Sequence, residues 1–178
     1  IEANPRLQVE HTVTEEVTGV DLVQVQLRLA AGASLAELGL ADPPLPRGLA
    51  IQLRINMERM QADGSATPAG GTLNLFEPPS GPGIRVDALA YGGYTTSPCF
   101  DSLLAKLIVR SSSSELRDLL ARAARALGEL RIEGVATNAA FLPTVWNSGE
   151  DTTNLTLNPE PCTLTPSNRY YWHVRYKD

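Results

Sequence analysis

A proline-rich stretch, ADPPLPRG at residues 41–48, separates two parts of the chain that have different patterns. Three of the four positions 43–46 are proline, which lacks a backbone N–H donor and fixes φ, so neither a helix nor a central strand can form there. Apolar residues recur at helical spacing before this stretch and alternate as in strands after it. We therefore predict a linker, with a domain boundary near Pro46.

The first eleven residues, IEANPRLQVEH, alternate strictly between apolar and polar side chains. This alternation indicates an extended segment with one face on a core and one face free. Because Pro5 cannot continue a ladder, we expect a strand to end at residues 2–4 and a curved loop to run from Arg6 to Glu10. The polar face carries carboxylates, amides and an arginine, which suit a metal, an oxyanion or a proton. The alternative is an edge strand with mixed charges.

Two helices are predicted between this loop and the linker. Thr12 or Thr14 can cap the first helix, which Gly19 interrupts. Asp21 can cap the second helix. A capping box in residues 34–37 then begins a short helical turn.

Beyond the linker the pattern predicts an antiparallel β unit. Alternating side chains run through residues 49–58. Further strands are expected at residues 72–76 and 84–90, each bounded by glycine and proline. Residues 101–110, around SLLAKLIV, have the composition of a buried strand.

A last helical part follows the β unit. The serines at 111–114 are expected to cap an amphipathic helix whose apolar stripe runs from Leu116 to Leu130. A short strand is predicted in RIEGV, and Asn138 can cap a final helix. Beyond residue 151 the periodicity fades, and no fold is predicted for the tail.

Composition excludes several classes of protein. The 178 residues are 43% hydrophobic and carry a net charge of −5, so a nucleic-acid surface is not expected. No apolar run approaches the about 20 residues that cross a bilayer, so no membrane segment is predicted. Cys99 and Cys162 are far apart, and His11 and His173 make no ligand pair, so a structural zinc site is not expected. We expect free thiols, a reducing compartment and a cytoplasmic location.

Five stretches in order resemble the biotin carboxylases, the ATP-grasp component of biotin-dependent carboxylases. They are EANPRLQVEHTVTEEVTGVDLVQ, QLRIN, SGPGIRVD, GYTTSPCFDSLLAKLIV and ALGELRIEGVATNAAFL. The resemblance implies an α+β fold in which residues 1–46 end an ATP-grasp domain. Residues 47–157 would form the biotin carboxylase C-terminal antiparallel β domain with flanking helices, and 158–178 an unassigned tail.

For the nucleotide, the resemblance implies three residues of this sequence. Glu2 and Asn4 match positions that bind Mg²⁺ or Mn²⁺ with the ATP phosphates. Leu155 matches an apolar contact to the adenine. The implied cofactors are therefore ATP, Mg²⁺ or Mn²⁺, and biotin on a carrier protein.

For bicarbonate and biotin, the resemblance implies five further residues. Arg6 matches a residue that holds bicarbonate and the biotin ureido group, and Gln8 and the backbone of Val9 match bicarbonate contacts. Glu10 matches the proposed general base. Arg54 matches the arginine that stabilises the biotin enolate.

The resemblance also implies partners. Arg85 matches a position at the family's dimer interface, so we expect a homodimer that works with a biotin carboxyl carrier domain and a carboxyltransferase component. The motifs DSLLAKLIV and RINME look more like the acetyl-CoA or multidomain carboxylase branch than the propionyl-CoA branch, which implies fatty acid biosynthesis. The family's glycine-rich lid, ATP-binding lysines and first metal carboxylate would precede Ile1, so we expect a C-terminal fragment that is inactive alone.

Each site residue also has a simpler interpretation. Arg54 can pair with Glu58 on the same strand face. Asp101 can be a turn carboxylate, Lys106 a strand-edge lysine and Cys99 a small loop side chain. At the level of the whole chain, the alternatives are a non-catalytic dimerisation or carrier-docking module, and another ATP-grasp ligase such as a carbamoyl-phosphate synthetase.

Overall fold

The structure, a computed structural model, describes residues 4–61, 65–97 and 99–143. Three helices are α1 (His11–Thr18), α2 (Leu22–Ala30) and α3 (Leu116–Glu129). The strands are β1 (Leu49–Asn56), β2 (Glu58–Met60), β3 (Ala66–Pro68), β4 (Leu75–Glu77), β5 (Ile84–Ala88), β6 (Leu103–Ser111) and β7 (Arg131–Glu133). The α+β class predicted from the sequence is confirmed.

An antiparallel sheet of three strands, in the order β1-β6-β5, forms the centre of the fold. The antiparallel β unit predicted after the linker is thereby confirmed. Strands β2 and β3 form one small antiparallel pair, and β4 and β7 form another. The middle position of β6 gives it a ladder on both sides, so neither of its edges is open.

One face of the central sheet is apolar and packs against α3. Alternate residues of β1 and β6 point to this face, and the buried side of the helix covers them. The members of this core include Ile51, Leu53, Ile55, Leu107, Val109, Leu119, Leu120, Ala123 and Leu127. The helical stripe predicted for residues 116–130 is confirmed, although Leu116 at its start is 37% exposed.

The opposite face of the sheet is mostly polar and packs against α1. Val13 and Val17 of the helix bury against Ala50 of β1. Thr12 is fully buried, and its hydroxyl donates to the side-chain Oε1 of Gln52, also on β1. This apolar and polar contact sets the start of α1, and the loop before it, directly above the sheet.

Helix α1 ends, and helix α2 begins, at the residues that local signals predict. Gly19 has φ +75°, a left-handed conformation that glycine adopts without strain, and its N–H donates to the Glu15 carbonyl. Asp21 caps α2 by accepting from the Gln24 N–H at 2.8 Å. The predicted threonine cap of α1 is wrong, because the N-cap residue is Glu10, two positions before Thr12.

The linker prediction is confirmed, since residues 41–48 contain no helix or strand. The Arg47 N–H donates to the Val17 carbonyl at 2.8 Å and ties the linker to α1. Gly48 then lies so close to the Ser111 carbonyl oxygen that an added Cβ would stand 2.1 Å from it. The capping box is also confirmed, with the Ser34 and Glu37 side chains each accepting from the other's N–H.

Three strand and cap predictions are corrected. The alternating segment 49–58 breaks at Met57, because the pairing with β6 shifts at the end of β1. The strand expected at 72–76 begins later, at Leu75. Helix α3 is not capped by a serine side chain, since its N-cap residue is Glu115.

Asn138 lies in a turn and serves a different purpose from a helix cap. Its side-chain oxygen accepts from the Asn56 N–H at 2.9 Å, and its amide donates to the Arg54 carbonyl at 3.1 Å. The turn is therefore fastened to the end of β1. The rest of the expected final helix lies outside the described residues.

The predictions for Glu2, Leu155, Cys162 and the tail from residue 158 onward also lie outside the described residues. Within the part of the chain that the structure describes, no helix is both long enough and apolar enough to span a membrane.

Candidate substrate-binding site

The loop before α1 is curved, as predicted. The Arg6 N–H donates to the Asn4 carbonyl at 2.8 Å, and the His11 N–H donates to the Gln8 carbonyl at 3.3 Å. The imidazole Nδ1 of His11 also donates to the Gln8 carbonyl at 2.6 Å. These bonds turn the chain so that Val9 and Glu10 face the sheet at the start of the helix.

Glu10 and Arg54 meet across 44 positions of sequence. The Arg54 Nη1 donates to the Glu10 Oε1 at 3.1 Å, and the two side chains are 24% and 32% exposed. The alternative pairing of Arg54 with Glu58 is wrong. The buried Glu58 carboxylate instead accepts from the Asn56 amide at 3.2 Å and from the Ser102 hydroxyl at 2.9 Å.

Arg54 retains unused donors beside this contact. A guanidinium has five N–H donors, and Arg54 makes its hydrogen bond to Glu10 through Nη1. Its Nη2 lies 3.8 Å from the Asp101 Oδ1, too long for a direct hydrogen bond, and its buried Nε has no partner among the described residues. Arg54 can therefore bind a further anionic or carbonyl oxygen without leaving Glu10.

Asp101 is a turn carboxylate, as its simpler interpretation predicts, and it also lies near Arg54. Its Oδ1 accepts from the Leu103 N–H at 2.9 Å, as a turn carboxylate at a strand start does. The same oxygen is the one that faces Arg54. Cys99 is an exposed thiol in the preceding loop, as expected for a loop side chain.

The prediction that Lys106 is a strand-edge lysine is wrong. It lies on β6, the middle strand, and its side chain is only 13% exposed. Its ammonium lies 3.1 Å from the Asp87 Oδ2 and donates to the Val9 carbonyl at 3.4 Å. The available signal was a single cation within an otherwise apolar strand, but its partners come from remote segments.

Asp87 also belongs to a second cluster of charged side chains. Arg85 donates through Nε to Asp87 at 2.9 Å and through Nη1 to Glu15 of α1 at 2.8 Å, with Glu16 at 3.6 Å. Its hydrogen bond to Asp87 raises the pKa of Arg85 further above its ordinary value. Burial alone would raise the pKa of Asp87, but the hydrogen bonds from Arg85 and Lys106 hold it below its usual range.

Three predicted site residues lie on the loop without being fixed to the sheet by their side chains. Arg6 and Gln8 are exposed, and Asn4 is half-buried. Among the described residues, no hydrogen bond or ion pair holds the Arg6 guanidinium or the Asn4 amide. Between residues 4 and 143, outside the gaps at 62–64 and 98, no three His, Cys, Asp or Glu side chains cluster as a metal site.

Taken together, the loop and the sheet form a half-buried patch of mixed charge. A carboxylate that can accept a proton lies against a guanidinium with spare donors, and an exposed arginine stands on the loop above. Such a set can bind a small anion, remove a proton from it and stabilise a developing oxyanion.

A match to a family model identifies the proteins to which this chain is related. The family model described as the biotin carboxylase C-terminal domain matches residues 52–156. This chain belongs to the biotin carboxylase family. A second model, described as the ATP-binding domain of the carbamoyl-phosphate synthase L chain, matches residues 1–38, which include the loop and both early helices.

Curated relatives include a biotin-dependent acyl-coenzyme A carboxylase subunit and pyruvate carboxylases. The chain is 46% identical over 141 residues to the biotin-dependent acyl-coenzyme A carboxylase alpha3 subunit of Mycobacterium leprae, covering 79% of this chain and 22% of that protein. It is 42% identical over 175 residues to the mitochondrial pyruvate carboxylase of Homo sapiens, covering 94% of this chain and 14% of that protein. The chain thus spans less than a quarter of these relatives.

Solved structures agree with this assignment. A single-chain, multi-domain long-chain acyl-CoA carboxylase superposes with a TM-score of 0.77 at 50% identity, over 82% of this chain and 16% of that one. The biotin carboxylase domain of a single-chain bacterial carboxylase superposes with a TM-score of 0.73 at 52% identity, over 82% of this chain and 33% of that one.

Proposed function

We propose that this chain supplies the bicarbonate and biotin side of a biotin carboxylase active site. The complete enzyme would use ATP and bicarbonate to carboxylate biotin on a carrier protein. The observation that carries this proposal is the 3.1 Å contact between Glu10 and Arg54, which joins the loop before α1 to strand β1. Membership of the biotin carboxylase family supports a functional role for this contact.

The residue types fit the proposed reaction. Arg6 and Gln8 would hold bicarbonate with the backbone of Val9, and Glu10 would accept its proton as the oxygen attacks the terminal phosphate of ATP. Carboxyphosphate and ADP would result, and carboxyphosphate would break down to CO₂ and phosphate. The ureido oxygen of biotin would gain negative charge as its N1 proton passes to that phosphate. Arg54 would stabilise that charge with its spare N–H donors.

Glu2 and Asn4 would hold Mg²⁺ or Mn²⁺, which neutralises charge on the ATP phosphates when bound. Leu155 would contact the adenine. The Asn4 amide suits this role, because its oxygen has no other partner among the described residues.

We propose acyl-CoA, with acetyl-CoA as the first candidate, as the final carboxyl acceptor. Support comes from the 46% identity to an acyl-CoA carboxylase subunit, slightly above the 42% identity to human pyruvate carboxylase. The proposed partners are a biotin carboxyl carrier domain, a carboxyltransferase component and a second copy of the chain. Comparing acetyl-CoA, propionyl-CoA and pyruvate as acceptors of the complete enzyme distinguishes the branches.

The general-base assignment is tested with Glu10→Ala in the complete enzyme. We expect carboxylation of biotin to be abolished while the fold stays intact, as circular dichroism would show. Glu129→Ala is the matched control, because Glu129 is an exposed carboxylate on α3 and should leave the rate unaffected. A Glu10→Ala enzyme with a near wild-type rate would show that Glu10 is not the base.

We also propose that the 178-residue chain alone neither hydrolyses ATP nor carboxylates biotin, because the family's remaining nucleotide contacts would lie outside it. The assay measures bicarbonate-dependent phosphate release from ATP by the purified chain. Phosphate release above the no-enzyme rate would overturn this part of the proposal.

A further inference from the structure

Three charged side chains form a row across the central sheet. Lys106 of β6 is paired in register with Arg54 of β1 on one side and with Asp87 of β5 on the other. Directly opposed residues of antiparallel strands place their side chains on the same face, with Cβ atoms about 5 Å apart. This face is the one under α1 and its preceding loop, so the row lies beneath Val9 and Glu10.

The two neighbouring cations of the row each hold one part of the same dipeptide. Arg54 binds the Glu10 carboxylate at 3.1 Å, while Lys106 donates to the Val9 main-chain carbonyl at 3.4 Å. The Val9 carbonyl belongs to the peptide plane that leads into Glu10, and a planar peptide moves as a unit. A contact to that carbonyl therefore sets the direction from which the Glu10 side chain leaves the backbone.

The surroundings of Lys106 favour a defined position for its ammonium. The side chain is only 13% exposed, and Asp87 holds it at 3.1 Å from the side opposite Arg54. Asp87 in turn is held by Arg85 at 2.9 Å. A partly buried ammonium between two fixed oxygens has little freedom, whereas an exposed lysine is a mobile point charge.

We propose that Lys106 is a positioning residue that fixes the Val9–Glu10 peptide, and through it the Glu10 carboxylate, for bicarbonate. This inference rests on the proposed function, because it assigns Lys106 a part in binding the same substrate. Lys106 touches no reacting atom in this proposal. It acts through the main chain of Val9.

The test uses the complete enzyme and separates the two substrates of ATP cleavage. Lys106→Met keeps the apolar stem but removes the ammonium, and misplacement of about 1 Å near a reacting group costs 10- to 100-fold. We expect KM for bicarbonate to rise by about that factor while KM for ATP stays within about twofold. Lys106→Arg, which keeps a cation able to reach a carbonyl, should restore most of the bicarbonate affinity.

Control variants keep the result interpretable. Arg125→Met also removes one positive charge, but from an exposed site on α3 where Glu129 lies at 3.7 Å, and both KM values should stay unchanged. Lys106→Gln is measured as a second variant, because it keeps a polar group in the row but is too short to reach Val9. It should raise KM for bicarbonate as Lys106→Met does.

The outcomes distinguish this inference from the proposed function. If Glu10→Ala is inactive while Lys106→Met and Lys106→Gln both keep wild-type KM for bicarbonate, the positioning inference is wrong and the proposed function stands. An equal rise in both KM values, without recovery in Lys106→Arg, also contradicts it, because a general loss of structure would affect ATP as well. If Glu10→Ala is fully active, the proposed function itself fails.

Discussion

The two faces of the central sheet are built from alternate residues of the same strands, yet they have opposite properties. Toward α3 the strands present Ile51, Leu53 and Leu107, all at most 3% exposed. Toward α1 they present Arg54, Lys106 and Asp87, all charged and partnered by other charges or by the loop. A single antiparallel sheet therefore provides both a core and a candidate site.

This difference shows how the fold can carry buried charge. Burying a leucine or isoleucine stabilises the fold by about 1.5–3 kcal/mol, whereas burying an unpaired charge costs several kcal/mol. The apolar face thus provides stability, and the polar face is tolerated because its charges are paired. Substitutions on the apolar face should therefore change the free energy of unfolding. Substitutions on the polar face should change the carboxylation rate.

The largest expected effect is on the polar face. Arg54→Met in the complete enzyme should lower the rate of biotin carboxylation by about 10²- to 10³-fold, as removal of an oxyanion donor does. The unfolding temperature should change little, because the arginine is on the face that does not form the core. Arg131→Met, an exposed arginine paired with Glu77, is the control and should keep the rate. A wild-type carboxylation rate in the Arg54→Met enzyme would contradict the catalytic role that we assign to the polar face.

The largest expected effect on stability is on the apolar face. Leu107→Ala leaves a cavity under α3 and should reduce the free energy of unfolding by about 2–5 kcal/mol. Chemical denaturation of the chain measures it, with Leu45→Ala, at an 83% exposed linker residue, as the control. The carboxylation rate per folded molecule of the complete enzyme should be unchanged. A loss below 1 kcal/mol would contradict the assignment of this face as the core.

An intermediate loss of stability is expected at Asn138, whose side chain holds the end of β1. Asn138 is buried, and its side chain bonds the main chain at Asn56 and Arg54. Asn138→Ala should reduce the free energy of unfolding by about 1–3 kcal/mol, because it leaves a buried N–H without its partner. Asn74→Ala, at an exposed asparagine, provides a comparison that should change stability far less. Equal losses of unfolding free energy in the two variants would show that the Asn138 side chain does not stabilise the end of β1.

The smallest expected effect depends on pH. The pKa of Asp87 is held below its ordinary value, so its contribution to stability is present above the unfolded-state pKa of about 4 and is lost as pH falls through the folded-state value. Since Asp87 is about one third exposed, the contribution should be about 1 kcal/mol or less. Thermal unfolding of Asp87→Asn against wild type should differ at pH 7 and converge near pH 2. A difference that persists at pH 2 would contradict this.

Local signals predicted the helix ends and the linker well. Gly19 ends α1 and Asp21 caps α2 because their effects reach only a few residues along the chain. The start of α1 was predicted too late, because Glu10 occupies the N-cap position without a side-chain cap. The Thr12 hydroxyl that was expected to cap is buried and bonds Gln52, a contact between segments 40 positions apart.

The site was predicted only where the family motifs name its residues. Periodicity alone offers Arg54 the nearby Glu58 as a partner, whereas the structure pairs it with Glu10 through the packing of α1 on the sheet. Lys106 has one local signal, a single cation in an otherwise apolar strand, but its partners depend on the strand order β1-β6-β5. Strand order and register are set by the whole chain, so residues placed by them are missed when segments are considered singly.

The central claim is that Glu10 and Arg54 act as one unit on the polar face, and a double-mutant cycle tests it most directly. The carboxylation rates of the complete enzyme are measured for Glu10→Gln, Arg54→Met and the double variant. Residues that act as a unit give strongly non-additive losses, so the double variant should be within about threefold of the slower single variant. If the two losses instead multiply, Glu10 and Arg54 act independently and the account of this face is wrong.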